Sequence, residues 1–427
     1  MGFNHYDDLS IIFAFHRINS EERKSDEMKH AAKSVLLVIL VLLMAGCWDR
    51  MEIEERATIL GLSIDLHDEE TSDEPINHPN SDNIPTSEIG MVKITAQLAV
   101  PGQIPLGPSQ GGGGGGPEDT VWVVKAIGHS MDDAISNLQQ QLGSTLFLGH
   151  LKIIIISKEV AEKGIKEISD YIKRHPEIRR DTWLLVNGKM AEETLKIAPK
   201  LERVPVLYLS GMLDNAIKMG KFPKGKVGEF WVGLENLGQD GYLPYITVEE
   251  KEHIQISGLA YFKDMKMVGN LEPYQIAYFN GITEQNPGGS KALVKLSEDE
   301  SVMFQSTVRK SKIKATLKDG RPHIKVNLKV IGNIVEKRNM TIDSQEVSQK
   351  IEKITEGLIK EQCEQLIKET QEKQSDIFGF GEYVRGSLRS YWDTEVRTAE
   401  KWREVYKNLS VDVETQVEIK EAGIRSK

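Results

Sequence analysis

Only two cysteines, Cys47 and Cys363, occur in 427 residues. With Cys47 committed elsewhere, as argued below, Cys363 stands alone and no internal disulfide can form. Its neighbours Ile359, Leu366 and Ile367 share a helical face, which makes it a small buried hydrophobe. Long hydrophobic runs are also missing. The most apolar stretch, Val35 to Met44, is about half of the roughly 20 residues that span a bilayer. A basic excess is absent as well, with 54 Lys and Arg against 64 Asp and Glu, which excludes the electrostatic footprint of a nucleic-acid protein. The ten histidines show no His-Glu-x-x-His or related metal spacing. No Gly-x-Ser-x-Gly elbow is present. Six consecutive glycines, 111–116, are followed by Pro117-Glu118-Asp119, where a phosphate loop needs Gly-Lys-Ser/Thr and a helix. That run reads as a long surface loop. No cofactor is expected.

What is present begins at the apolar run. Lys29 and Lys33 precede it, and Ala45-Gly46-Cys47 ends it. A cationic region, an apolar region and small exit residues make a secretory signal peptide. The cysteine at the exit gives it the form of a lipoprotein signal, with the Cys47 sulfur carrying a diacylglycerol. Met44 stands where Leu, Val or Ile is usual. Two acyl chains anchor stably where one is marginal. Residues 1–27 hold six acidic side chains, unlike such a leader, whereas Met28 would open a short basic one. The expectation is a start at Met28, residues 1–27 as an annotation extension, and 28–46 as the signal peptide. Residues 1–46 contain five basic and six acidic side chains, leaving 49 against 58 and a net charge of −9 in the remainder. Adhesion to anionic lipid by charge alone is therefore disfavoured, and attachment falls to the lipid.

Periodicity divides the rest into three segments. In residues 47–204, strands are expected at Ala57–Leu66, Met91–Val100, Val121–Ile127, Leu151–Ile156 and Asp181–Val186. Helices are expected at Ser130–Leu142, capped by Ser130, and at Lys158–Lys173 and Lys189–Ala198. The β-branched run at 151–156 suits a strand buried on both faces. Residues 205–285 read as a small middle domain: a helix at Val206–Met219, a glycine-rich irregular stretch to Gly241, then strands at Tyr245–Glu249 and Ile254–Phe262 with a return strand ending at Val268, and a short helix at Glu272–Ala277. Residues 286–427 carry two long alternating strands joined at Asp319-Gly320, a strong hairpin signal. An amphipathic helix over Ser344–Lys373 follows, then shorter helices at Glu382–Trp392 and Val396–Tyr406, and an edge strand at Leu409–Ile419. The fold class expected is α/β and α+β, multidomain, with three domains each having a mixed or antiparallel sheet packed by helices.

Several pieces together resemble a known family. They are Gly46-Cys47-Trp48-Asp49-Arg50, Glu52-Ile53 and Leu60-Gly61 through Ile64-Asp65; then Leu148-Gly149-His150-Leu151-Lys152 with Glu159 through Gly164; then Pro176-Glu177-Ile178-Arg179-Arg180-Asp181; and last the terminal hairpin with its long helix. In order and spacing this set resembles the Ger(x)C spore germination lipoproteins. The resemblance implies a C-subunit of a nutrient germinant receptor, anchored by lipid to the outer face of the spore inner membrane. Its implied partners are an A-type membrane subunit and a permease-like B-type subunit.

Candidate site residues are few. Cys47 is the lipidation site. Trp48, Asp49, Arg179 and Arg180 are the candidate partner-binding residues. For the arginine pair, an internal ion-pair cluster with Glu177 and Asp181 is the reading to beat. Asp65 at a strand end reads as a cap or ion pair, His150 as a hydrogen-bonded structural residue, and Trp392 and Trp402 as core packing. The expected function is a non-enzymatic receptor subunit. A solute-binding lipoprotein of an ABC-type uptake system is the alternative, and three unlike segments count against its two similar lobes. A hydrolase is disfavoured by the missing triad and metal spacing.

Overall fold

The computed structural model describes residues 56–67, 89–100, 120–197, 204–249 and 253–421, together with residues 30, 33–37 and 202. Cys47, Trp48, Asp49 and the six-glycine run lie outside the described residues. One compact unit spans Ala57–Lys427.

Alternation of apolar residues gives β1 (Arg56–Leu66), β2 (Val92–Ala99) and β3 (Val121–Gly128), paired antiparallel in that sequence. Helix α1 (Met131–Gln140) starts where Ser130 turns extended and its Oγ accepts the Asp133 N–H at 3.2 Å, as its sequence predicts. A short β4 (Thr145–Phe147) pairs with β1. Strand β5 (Ile153–Ser157) is buried at every residue, because β1 and β6 (Trp183–Asn187) flank it in parallel and helices cover both faces.

The helix expected over 158–173 is two helices, α2 (Lys158–Lys163) and α3 (Lys166–Arg174). Gly164 at φ +130° breaks it, and the freed Ile165 N–H donates to the Met265 carbonyl at 2.9 Å. The helix expected at 189–198 is a 3₁₀ segment over Ala191–Lys196. Helix α4 (Pro205–Lys218) opens on its proline. The stretch expected to be irregular contains α5 (Val227–Glu235), which buries Val227, Phe230 and Trp231. Strands β7 (Tyr242–Glu249), β8 (His253–Lys263) and β9 (Lys266–Leu271) follow.

These last three strands do not form a sheet of their own. β7 pairs parallel with β6, giving one mixed sheet in the order β3-β2-β1-β5-β6-β7-β8-β9. The reason is packing. Val206, Leu209 and Leu213 of α4 share a core with Ile153 and Ile155 of β5, Leu185 of β6, and Ile246 and Val248 of β7. Among the described residues there are thus two sheets, not three, and the α/β and α+β character is as expected.

The second sheet has the order β10-β11-β12-β13. Helix α6 (Ile276–Ile282) lies later than its predicted position and leads to β10 (Lys291–Lys295), then β11 (Ser301–Lys318) and β12 (Arg321–Arg338). The hairpin turns at Asp319 and Gly320, both at positive φ, in the geometry that matches strand twist. Ser344 caps α7 (Gln345–Glu372), its Oγ accepting the Val347 N–H at 3.3 Å. Helix α8 (Phe380–Ser387) and a π-helical turn (Trp392–Val396) precede α9 (Ala399–Tyr406). Strand β13 (Ser410–Glu421) then forms an edge, parallel to β12. Glu356 and Glu352 of α7 accept the Val417 and Ile419 N–H groups, each at 2.9 Å, which blunts that edge. Leu259, Tyr261 and Leu271 of β8 and β9 enter the same core as α6 to α9, so the two sheets share a buried seam.

Candidate functional site

The loop before β6 joins two of the sequence signatures. Glu177 Oε2 accepts the Leu148 N–H at 2.8 Å, and Thr182 Oγ1 donates to the Leu151 carbonyl at 3.0 Å. The Arg180 carbonyl accepts the Gly228 N–H at 2.9 Å, fixing the loop against the start of α5. Arg179 and Arg180 are exposed. Among the described residues neither is in an ion pair, because Glu177 is spent on the backbone of 148. The internal ion-pair cluster expected from the sequence does not form, and both guanidinium groups face solvent. Arg180 borders a cleft of about 540 Å³ with Lys218, Lys224 and Lys226. Lys226 also sits over the Trp183 ring, 5.4 Å from its centroid.

Asp65 is a cap. Its oxygens accept the Ala191 and Glu192 N–H groups at 2.6 and 3.0 Å, starting the 3₁₀ segment. Burial pushes its carboxyl up to about 6, against the pull of those two amides. The neighbouring Glu192 goes the other way. Burial would raise it, but the Lys125 hydrogen bond and the charges of Lys93 and Lys196 hold it at about 2. Its stabilisation is full above the ordinary glutamate value and fades as pH falls toward 2. Glu192→Gln is therefore expected to cost about 1–2 kcal/mol at pH 7, with most of the gap gone at pH 3. Urea midpoints at the two pH values check this, and an equal deficit at both would refute it.

A buried polar cluster joins the two sheets. Asp240, just before β7, accepts from Arg403 Nε at 2.9 Å and Nη2 at 2.6 Å through Oδ1, and from the Asp376 N–H at 3.0 Å through Oδ2. Asp376 Oδ1 accepts from the Phe378 and Gly379 amides, and Oδ2 from the Gly381 amide and Trp402 Nε1, at 2.9–3.2 Å. Burial raises both carboxyls, Asp376 to about 7, and the surrounding donors oppose it. Arg403 also reaches the wall of a cleft of about 890 Å³ between α2–α3, the β8–β9 turn and α9. Sequence reasoning misses this cluster, since residues 240, 376 and 403 carry no local signature.

No group of three or more His, Cys, Asp or Glu is placed to hold a metal among the described residues. Cys363 is fully buried, and burial pushes its thiol up to about 12, leaving it an inert packing group. His150 is exposed and stands edge-on to Phe147, with centroids 5.5 Å apart. Trp392 and Trp402 are core, their rings 5.7 Å apart. No described helix is long and apolar enough to cross a membrane.

Two unlike sheets joined through a polar seam, with clefts around it, define a mixed α/β scaffold. Residues 49–248 match the family described as spore germination protein N-terminal domain, and residues 257–423 match spore germination B3/GerAC like, C-terminal. The chain belongs to the Ger(x)C family of spore germination proteins. It is 25% identical to spore germination protein GerQC of Bacillus cereus, over 80% of this chain and 93% of that one. It is 25% identical to the putative spore germination protein YfkR of Bacillus subtilis (92% and 97%) and 22% identical to spore germination protein KC of the same organism (92% and 96%). The crystal structure of the GerBC protein superposes with a TM-score of 0.52 at 16% identity, covering 79% of this chain and 96% of that one, which establishes a shared fold.

Proposed function

We propose that the chain is a lipid-anchored, non-enzymatic subunit of a spore nutrient germinant receptor. Its diacylglycerol on Cys47 would hold it to the outer face of the spore inner membrane, where it assembles with A-type and permease-like B-type membrane subunits. The observation that carries this reading is the match to both germination domains from residue 49 to residue 423. That match begins two residues after a cysteine at the exit of a signal-like apolar run. Relatives named as spore germination proteins KC, B3 and A3 support a germination role. The folded part offers surfaces and clefts, and a solute-binding protein's two similar lobes do not describe its two unlike sheets.

The test is dipicolinic acid release from spores that lack the gene, complemented with wild type or Cys47→Ala across a nutrient panel. Deletion is expected to abolish at least one nutrient response. Cys47→Ala is expected to restore less than about a tenth of it, since membrane residence would then rest on no acyl chain. Full restoration by Cys47→Ala would refute the anchor, and survival of every response after deletion would refute the receptor reading.

A further inference from the structure

We propose that the arginine-lined groove between α8, the π-helical turn and the Leu237 loop is a docking site for an acidic, protruding segment of a protein partner. The groove encloses about 740 Å³, and Arg385, Arg389 and Arg397 line it with Leu237, Trp392 and Asp393.

The backbone gives the first reason. Arg397 has φ +62°, in the left-handed region where glycine is the usual occupant. The turn needs only main-chain bonds there. The Arg397 N–H donates to the Trp392 carbonyl at 2.9 Å, and the Thr398 N–H to the Val396 carbonyl at 2.7 Å. Glycine would make both without strain. The arginine side chain does not repay the strain by packing, since it is exposed. Strained, solvent-facing residues of this kind are where function is to be sought.

The side chains give the second reason. Arg397 donates through Nε to the Asp393 carbonyl at 2.6 Å, and its terminal nitrogens have no partner among the described residues. The Arg389 side chain is 87% exposed, with one loose ion pair to Asp393 at 3.6 Å. Arg385, by contrast, is occupied: Glu382 takes it through both oxygens at 3.1 and 2.9 Å, and the same carboxylate accepts the Gly238 N–H. Both bonds come from Arg385 Nη1, and the pair fixes one wall of the groove. The Arg397 terminal nitrogens, with the exposed and only loosely paired Arg389 beside them, therefore face a groove floored by buried Trp392 and edged by Leu237, which is 40% exposed. Arginine and tryptophan beside an apolar edge is the composition of an interface anchor. A concave site suits a protruding loop or helix end with a carboxylate and an apolar neighbour. A lipid headgroup layer would be met by a convex, lysine-rich face.

The identity of the partner as another receptor subunit rests on the function proposed above, whereas the chemistry of the groove does not. The probe is a labelled six-residue peptide alternating leucine with glutamate, titrated against the full chain. Arg397→Gly combined with Arg389→Ala is expected to weaken binding about tenfold or more, and added salt to weaken binding to wild type. Arg397→Gly alone is expected to melt at or above the wild-type temperature, which separates docking from folding. Spores carrying the double variant are expected to hold normal levels of the protein and to lose the nutrient response. Equal peptide binding by wild type and double variant overturns the proposal. So does preference of the wild type for phosphatidylglycerol vesicles over the peptide, which would assign the groove to the membrane. If deletion of the gene abolishes germination but the double variant germinates normally, the groove proposal alone fails. If deletion changes nothing, the receptor reading fails and the peptide titration still decides the groove.

Discussion

Arg403→Ala is expected to lower stability by about 3–5 kcal/mol, because it leaves Asp240 buried with its charge uncompensated. Arg403 gives Asp240 Oδ1 two hydrogen bonds; the Asp240 side chain is buried, while Arg403 keeps 13% of its side chain exposed at the cleft wall. Burial already pushes the Asp240 carboxyl up, and Arg403 is the strongest influence holding it down. For a carboxyl raised on folding, the penalty is present above its folded value and disappears below its unfolded one. The deficit of Arg403→Ala should therefore shrink as pH falls from 7 to 4. Arg403→Ala combined with Asp240→Asn should recover part of the loss at pH 7, as the unpaired charge goes with it. Urea unfolding of the four proteins at both pH values measures this coupling. A single-variant deficit under about 1 kcal/mol, or one that grows in acid, would show that the pair does not lock the seam.

The position of this pair gives it weight beyond stability. Asp240 precedes β7 of the first sheet, while Asp376, Trp402 and Arg403 belong to the helical layer of the second. The Asp240 N–H donates to the Asp376 carbonyl at 2.8 Å, and Ser375 Oγ donates to the Phe262 carbonyl at 2.6 Å. Main-chain and side-chain bonds thus bridge the sheets at one place. Loss of Arg403 should loosen the two sheets before either unfolds, visible as faster amide exchange near residues 240 and 376.

Local order is what the sequence reveals well. The run at β5, the Asp319-Gly320 hairpin and the Ser130 and Ser344 caps each depend on neighbours a few residues apart, and each forms where expected. Helix α5 is hidden because Gly220, Gly225, Gly228 and Gly233 crowd a segment whose Phe230 and Trp231 are held by tertiary burial. The break at Gly164 is hidden for the opposite reason: 158–173 is good helix sequence, and the partner that ends it, Met265, lies a hundred residues away. The same distance problem governs the site. The pairing of Arg179 with Arg180 is legible, but Glu177 turning to the Leu148 amide is a tertiary fact, and it leaves both arginines facing solvent. Asp65 can be read as a cap or ion pair, whereas its target at 191–192 cannot. Asp240, Asp376 and Arg403 carry no signal until the fold brings them together.

A fully buried arginine stands at the other joint between the sheets, and Arg309→Ala is expected to cost about 3–4 kcal/mol. Arg309 on β11 is 2% exposed. It donates to the carbonyls of Gly220, Gln285 and Pro287 and to Ser290 Oγ, at 2.7–3.3 Å. Those carbonyls do the work a carboxylate would do elsewhere. Burial pulls the guanidinium down to about 10, so it remains charged at neutral pH. Alanine would leave three carbonyls and a hydroxyl without their donor inside the protein, which is costlier than never having built the bonds. Arg309→Lys keeps the charge but not the five-donor fork, and should fall between alanine and wild type. The partner loop is equally constrained. Gly220 has φ +65°, and a Cβ there would lie 1.8 Å from the Pro287 oxygen. Gly220→Ala should therefore destabilise by a comparable amount, through backbone displacement and not through loss of a donor. The two lesions act on one contact, so Arg309→Ala combined with Gly220→Ala should cost clearly less than the sum of the two. Full additivity would place them in separate contacts, and the end of α4 would then be held to the second sheet by something other than Arg309.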